Sequence, residues 1–383
     1  MPNKKFWTNE KNTMLAKLRE AGVPVKQIAL HFGTTERAVY AQAHRLNITW
    51  KRPTPQDIGE IKELNLADNV AASIKTKKKN LRELADEHDV SPKKILDAIQ
   101  QLRDRNILID TLTDGGFKLA RDIAPSKPSI IDVSKHREVE YPIGFVADTH
   151  LGSKYERNDV LNALYDRFSA YGIETVYHGG NWIDGEFRYN KFDIYVNGFE
   201  AQVRNFIEKY PQRKGMKTHI VSGDDHEGWY VQREHIDVGK TMVDRAREAG
   251  REDLVDLGYM EADIEYKQQG GKSTIRVIHA GGGSAYAVSY TSQKYAESLQ
   301  GGEKPSIVLV GHFHKFDWSY PREVHIIQGG TTCDQTPYMR KKKLQAHVGG
   351  CVLWVKQNDI GIFTSVKVEW MPFYDKKFYT YKW

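Results

Sequence analysis

In the carboxy-terminal two thirds of this 383-residue chain, five short, largely apolar runs each end in a cluster of Asp, Asn or His. Ile143–Ala147 leads into Asp148-Thr149-His150, and Thr175–Tyr177 into His178-Gly179-Gly180-Asn181-Trp182-Ile183-Asp184-Gly185. His219–Val221 leads into Gly223-Asp224-Asp225-His226-Glu227-Gly228, Arg276–Ile278 into His279-Ala280-Gly281, and Ile307–Val310 into Gly311-His312-Phe313-His314. Runs this short, bounded by glycine and polar residues, are expected as strands rather than helices. A chain that delivers acids, amides and imidazoles at five strand ends is expected to fold as layered α/β, with an open site where those carboxyl ends meet. Singly the clusters are weak: an Asp-x-His pair arises by chance, and a lone histidine after a strand is ordinarily a satisfied structural residue. The ordered set argues against a purely structural explanation.

That set, Asp-x-His, Gly-Asn-x-x-Asp, Gly-Asp-Asp-His-Glu, His and Gly-His-x-His, resembles the pattern DxH, GDxxD, GNH(D/E), H and GHxH of the calcineurin-like metallophosphoesterase superfamily over about residues 140–350. The resemblance implies an α/β fold of the αββα sandwich type and two metal ions bridged by one carboxylate. Carried over by position, Asp148, His150 and His314 resemble ligands of the first metal. Asp225, His279 and His312 resemble ligands of the second, and Asn181 occupies the bridging position. His226 matches the family's catalytic histidine and Glu227 the acid beside it. Mixed imidazole and carboxylate ligands suit transition metals, so the implied cofactor is two divalent ions, manganese first, with iron, zinc, nickel or magnesium as alternatives. Two ions ~3.5–4 Å apart clamp the attacking and leaving oxygens of an in-line displacement at phosphorus. His226 would stabilise the transferring phosphoryl or protonate the leaving oxygen, with Glu227 orienting it.

Two positions depart from that pattern. The bridging Asp is Asn181, and the usual Asn before the catalytic histidine is Asp225. A neutral amide neutralises less cation charge than a carboxylate, but Asp225 returns one negative charge, so the swap reads as compensatory. An engineered Asp-to-Asn change would explain Asn181 and leave Asp225 unexplained; a natural, active variant explains both.

The formal charge of +6 is unevenly placed. Residues 1–130 hold 23 Lys+Arg against 16 Asp+Glu, a balance of +7, while residues 131–383 hold 33 and 34, a balance of −1. A modest basic surplus alone supports a polyanion partner only weakly. Two Pro-bearing polar stretches, Lys51–Gln56 and Ala124–Ser129, read as linkers and suggest three parts, 1–52, 57–123 and 135–383. In the first, Leu15, Leu18 and Ala21, then Val25, Ile28, Ala29 and Phe32, then Ala38, Val39, Ala43 and Leu46 mark three helices, the last preceded by Gly33 and capped by Thr34 or Thr35. With Trp7 this part resembles the Myb-like helix-turn-helix domains, which implies that Arg37, Tyr40 and His44 face a DNA major groove. In the second part, Leu81, Leu84 and Ala85 mark one helix; Ser91-Pro92 opens another carrying Ile95, Leu96, Ile99 and Leu102. Ile107–Asp110, an Asp114-Gly115 turn and Phe117–Leu119 then form a hairpin, so the part resembles a winged helix. Lys93, Lys94 and the run Lys77–Lys79 are its candidate phosphate contacts. Scaffolding, dimerisation or protein contact remain the alternatives for both parts.

No run of 18 apolar residues exists, and the amino terminus has no apolar signal core. Two cysteines, Cys333 and Cys351, suit buried bystanders in a reducing cytoplasm. No membrane partner is expected. Relatives in the nuclease branch tend to dimerise, but no dimer surface is marked. A DNA-binding pair joined to a phosphoesterase points to a DNA-directed nuclease, and such fusions resemble phage or prophage proteins. A phosphomonoesterase or cyclic-nucleotide phosphodiesterase with regulatory modules stays open, as does a DNA-binding regulator whose phosphoesterase fold is inactive. Trp182, Trp229 and Tyr230, beside ligand positions, and Arg340–Lys343 are further candidates for nucleic-acid contact.

Overall fold

The computed structural model describes residues 7–20, 25–32, 34–46, 48, 66–132, 138–187, 189–283, 285, 287–302 and 304–373. The chain divides into two compact units, Met1–Leu66 and Ala67–Trp383. In the first, α1 (Asn9–Glu20), α2 (Val25–Phe32) and α3 (Glu36–Arg45) close around Leu15, Ile28, Ala29, Val39 and Ala43. The Thr35 hydroxyl caps α3 by accepting from the Ala38 N–H at 3.3 Å, satisfying a donor the helix end would otherwise orphan. Leu46, expected in this core, is instead the exposed residue that ends α3. Gly33 and the Lys51–Gln56 linker lie outside the described residues.

The second unit begins with helix α4 over 66–74, then α5 (Leu81–His88) and α6 (Pro92–Asp104). Asn80 and Glu83 form a capping box at α5, and Ser91 caps α6 with Pro92 in its first turn. Strands β1 (Lys79–Asn80), β2 (Ile109–Thr111) and β3 (Gly116–Leu119) make a small antiparallel sheet in the order β1-β3-β2. Two expectations shift here. Leu96 is exposed on α6, where Ala98 takes the core position. The strand expected from Ile107 begins at Ile109, because Ile107 pairs with Ile236 and the Leu108 N–H donates to the His235 carbonyl at 2.8 Å.

The rest is a two-sheet sandwich. Strands β4 (Ser129–Asp132), β5 (Glu138–Val146), β6 (Thr175–His178), β7 (Lys217–Ser222), β8 (Leu254–Tyr259), β9 (Glu261–Gln268) and β10 (Gly271–His279) are followed by β11 (Ile307–Gly311), β12 (Phe316–Ser319), β13 (His325–Gly329), β14 (Gly349–Asn358) and β15 (Phe363–Pro372). One six-stranded sheet runs β15-β14-β5-β6-β7-β8 and is parallel from β5 to β8; the other runs β12-β13-β11-β10-β9-β4. Alternation divides each strand: Ile143 and Phe145 of β5 enter the core between the sheets with Tyr177, Val221, Val277, Leu309 and Leu353, while Val146 joins the opposite face. That opposite face packs on α7 (Asn158–Ala170), α8 (Phe199–Lys209), the short α9 (Gly228–Glu234) and α10 (Val238–Glu248). Helix α11 (Tyr290–Ser298) covers the outer face of the second sheet through Ala296. The layering is therefore helix, sheet, sheet, helix. Cys333 and Cys351 are buried and form no disulfide. Among the described residues no helix is long and apolar enough to cross a membrane.

Candidate metal centre

The strand-end clusters meet. Parallel β5 and β6 carry Asp148, His150 and Asn181 out of one sheet, β7 brings Asp225, and β10 and β11 bring His279, His312 and His314 from the other. Backbone geometry at the exits is unusual: Asp148, His150, Asn181, His312 and His314 all sit at positive φ, between 46° and 89°. Such backbone costs of order 1–3 kcal/mol per residue and persists where the surroundings over-determine it, commonly at functional sites. Gly180 lies in the left-handed region, and a Cβ there would stand 2.3 Å from the His279 ring. Only glycine lets the two sheets' loops close this tightly.

Two donor groups of the expected ligands result, and a third set, His150, Asp184 and His226, shares His150 with the first. In one, His150 Nε2 and His314 Nε2 face each other at 3.0 Å, with Asp148 Oδ1 3.5 Å from His314 and 3.9 Å from His150. In the other, Asp225 Oδ1 lies 3.1 Å from His279 Nε2 and its Oδ2 3.2 Å from His312 Nδ1. Backbone and carboxylate acceptors hold the remaining ring nitrogen of three of the four histidines, His314 Nδ1 being buried without a hydrogen-bond partner. His279 Nδ1 donates to the Gly179 carbonyl at 2.7 Å, His312 Nε2 to the Gly282 carbonyl at 2.7 Å, and His150 Nδ1 to Asp184 Oδ1 at 3.0 Å. Fixing one nitrogen turns the other toward the centre, the arrangement metal-ligating histidines use.

Asn181 lies between the groups. Its Nδ2 donates to Asp148 Oδ1 at 3.4 Å, while its Oδ1 is buried without a hydrogen-bond partner. That oxygen and the His279 ring would each stand 2.7 Å from a Cβ on Gly223, which puts Oδ1 on the side of the second group. An orphaned buried oxygen between two imidazole–carboxylate groups, each with ligand atoms within 4.8 Å of one another, fits two cations.

The electrostatics agree with the geometry. Burial works against the charge of Asp148, but His314, His279 and His150 hold its carboxyl down at about 2. Burial also opposes ionisation of Asp225, which the facing histidines still hold well below the usual carboxylate range. Burial, then His226, pushes His150 down to about 4. Against its own burial, His226 is raised to about 9 by Asp225 and Asp184.

The structure relocates two roles. Glu227 does not reach the His226 ring: it is fully buried, and its Oε1 accepts from the Asn181 N–H at 3.0 Å and the Gly223 N–H at 2.6 Å. It brackets the Asn181 and Gly223 loops, and burial pushes its carboxyl up to about 7. The group that orients His226 is Asp184, whose carbonyl accepts from His226 Nδ1 at 2.6 Å and whose Oδ1 lies 3.4 Å from it. Asp184 stood in the Gly-Asn-x-x-Asp spacing, a signal that could have assigned it. Thr331, which donates to the Asp148 carbonyl at 2.6 Å, carried no such signal.

Other candidates divide. Trp182 is fully buried against Phe206, its Nε1 donating to Ser222, and Tyr230 is buried too, so neither stacks a base. Trp229 is 39% exposed, with Phe187 stacked at 6.1 Å. Arg37, Tyr40 and His44 are exposed on α3, and Lys93 and Lys94 on α6. Lys78 and Lys79 are engaged by Asp114 and Glu87, which leaves them less available to phosphate.

No protein-family model matches the chain, and no curated protein does. Among solved structures, an archaeal phosphodiesterase is similar at 14% identity and a TM-score of 0.31, over 60% of this chain and 99% of that one. Zinc-complexed Vps29 of Entamoeba histolytica is similar at 13% and 0.30, over 60% and 98%. NAD nucleotidase of Haemophilus influenzae is similar at 13% and 0.30, over 64% and 55%. At such values the chemistry rests on the chain's own site.

Proposed function

We propose that this chain is a metal-dependent phosphoesterase acting on nucleic-acid phosphodiesters, a DNA-directed nuclease with Myb-like and winged-helix elements at its amino terminus. The observation that carries the proposal is the pair of imidazole–carboxylate groups with the Asn181 amide between them and His226 alongside. Asp148, His150 and His314 would hold one ion, Asp225, His279 and His312 the other, with Asn181 Oδ1 placed to reach toward the second. Bound ions would supply Lewis-acid stabilisation of the phosphoryl oxygens and a water of lowered pKa, with manganese the first candidate. His226 Nδ1 is committed to the Asp184 carbonyl, so a protonated His226 would offer its Nε2–H to a leaving oxygen. Asp184 ties this acid to His150, since one carboxylate serves both rings. The exposed Arg37, Tyr40 and His44 of α3 and Lys93 and Lys94 of α6 support DNA as the partner.

One observation favours a second assignment. Asn181 turns an N–H toward Asp148 where the family pattern has a carboxylate, which weakens cation binding and suits a DNA-binding regulator that has lost turnover. Elemental analysis together with turnover of a small aryl phosphodiester under manganese separates the two. The proposal expects about two ions per chain and turnover lowered by ~10²–10⁴ in His226→Ala with metal uptake retained. Less than one ion and no turnover would select the regulator. Faster turnover of phosphomonoesters or cyclic nucleotides than of DNA would replace the nuclease with a small-molecule enzyme.

A further inference from the structure

The loop that follows Asp184 displays aromatic rings to solvent beside the candidate centre. Tyr189 is 78% exposed and Phe192 84%, in a protein that buries most of its large apolar side chains. Isolated exposed rings are ordinary; a group of them at the mouth of a site is not. These two flank Asn190, which is buried and donates to the Asp184 carbonyl at 3.0 Å and to Asp184 Oδ2 at 3.1 Å. Ile194 pairs with Ser153, and the Lys154 ammonium donates to the Phe192 carbonyl at 2.6 Å. The loop is thus pinned at its base while its rings are left outside. Phe187 continues the aromatic surface inward, its ring 5.1 Å from His226 and stacked with the exposed Trp229.

Positive charge borders the rings. Lys154 and Lys191 are exposed on the loop and its neighbour. Helix α12 (Pro337–Lys342) follows, with exposed Arg340, Lys341 and Lys342 and a 58% exposed Tyr338. The Asp334 N–H, just before α12, donates to the Tyr155 carbonyl at 2.8 Å, and the Lys154 N–H donates to the Asp193 carbonyl at 2.7 Å, which brings the segment leading into the basic helix beside the strand of chain that holds the aromatic loop. Rings and arginines also make protein–protein contacts; here the cations gather beside a candidate phosphoesterase centre, where the backbone of a phosphodiester substrate would pass. Rings interleaved with cations are the chemistry of unpaired bases on a phosphate backbone.

We infer that Tyr189, Phe192 and Trp229, bordered by α12, form a stacking platform for a single-stranded segment of nucleic acid leading to His226. The strand's bases lie on the rings and its phosphates meet Lys191, Arg340 and Lys341. Stacking is tolerant of base identity, so the platform selects strandedness rather than sequence. It deepens the nuclease proposal by naming its substrate as unpaired nucleic acid, yet binding on the platform is independent of turnover.

The test is fluorescence anisotropy of the full chain with a labelled oligothymidylate about ten nucleotides long and with a duplex of the same length. Tyr189→Ala and Phe192→Ala combined should weaken the single strand by about 10–100-fold and the duplex far less, at an unchanged melting temperature and an unchanged mass by light scattering. Phe192→Trp should retain affinity while Phe192→Ser loses it. Unchanged single-strand affinity, or equal losses on both DNAs, would overturn the platform. A dimer that dissociates in the double variant would overturn it in favour of a contact between copies. Turnover of the aryl phosphodiester by the unaltered chain is scored separately: if that is absent while the rings still govern single-strand affinity, the phosphoesterase proposal fails and the platform stands.

Discussion

The three-helix unit at the amino terminus closes on its own core of Leu15, Ile28 and Val39, whereas the second helical module shares a seam with the sandwich. At that seam the Leu108 N–H donates to the His235 carbonyl and the Asp237 N–H to the Asn106 carbonyl, both at 2.8 Å. The buried His235 ring donates back to the Ala120 carbonyl at 2.6 Å, and the Asn106 amide bonds Thr241 and Asp244 at 3.2 Å. His235 is the residue that ends α9, and α9 begins right after His226 and Glu227. The first module is thus a unit in its own right, while the second is part of the body that holds the candidate centre. Similar local motifs do not make equivalent modules: what differs is whether backbone donors at the edge are satisfied at home or by a neighbour.

The largest effect that can break this comparison is a pair of deletions. Removing residues 1–130 strips the seam and half of β4, and we expect insoluble or unfolded chains by circular dichroism. Removing residues 1–52 should leave the melting temperature and the turnover of a small aryl phosphodiester unchanged while duplex affinity falls. Duplex affinity that survives this shorter deletion, with its salt dependence, would move DNA binding to the second module.

Next in size is His226→Ala, expected to lower turnover by ~10²–10⁴ and to leave duplex affinity alone, the reverse of the shorter deletion. Arg37→Ala should do the opposite, weakening duplex binding with turnover intact.

Within the seam, Asn106→Ala removes the amide bonds and places alanine at φ 60°. A loss of ~1–3 kcal/mol is expected by chemical denaturation; no loss would mean that the backbone bonds alone hold the second module.

The smallest effect is pH-dependent. Burial, then the neighbouring Asp237, pushes the Asp256 carboxyl up to about 6. A carboxyl whose pKa is higher folded than unfolded adds stability at low pH and loses it as pH rises through its folded value. Asp256→Asn keeps an oxygen to accept from the Gly258 N–H. It should therefore be more stable than the parent by ~1–3 kcal/mol above pH ~6, with the gap closing toward pH ~4.

Much of the candidate centre was legible because its imidazoles and carboxylates lie within a few residues of strand ends. Asp148 and His150 follow β5 directly, and His312 and His314 follow β11, so period, glycine and spacing found them together. Helix caps at Thr35 and Ser91 were equally local. Glu227 misled because its neighbour in sequence, His226, points elsewhere, and its own partners are backbone groups on other loops. Trp182 misled because a position beside a ligand says nothing about which way the ring turns. Strands β14 and β15 carry no polar cluster, and only the pairing of β14 with β5, and of β15 with β14, gives them a place in the sheet.

By itself, then, the sequence determined which residues end the strands, the order in which acids and imidazoles arrive, and where helices are capped. These depend on neighbours a few positions apart, whose periodicity is written along the chain. The tertiary structure alone decided that Asp184 rather than Glu227 bonds the His226 ring, that the Asn181 amide lies between two imidazole–carboxylate groups, and that the second module belongs to the body. Each of those rests on partners brought together from distant positions, Asn106 and Thr241 being 135 residues apart. No local pattern encodes such a pair; it forms only when burial forces each polar group to find whichever partner the packing presents.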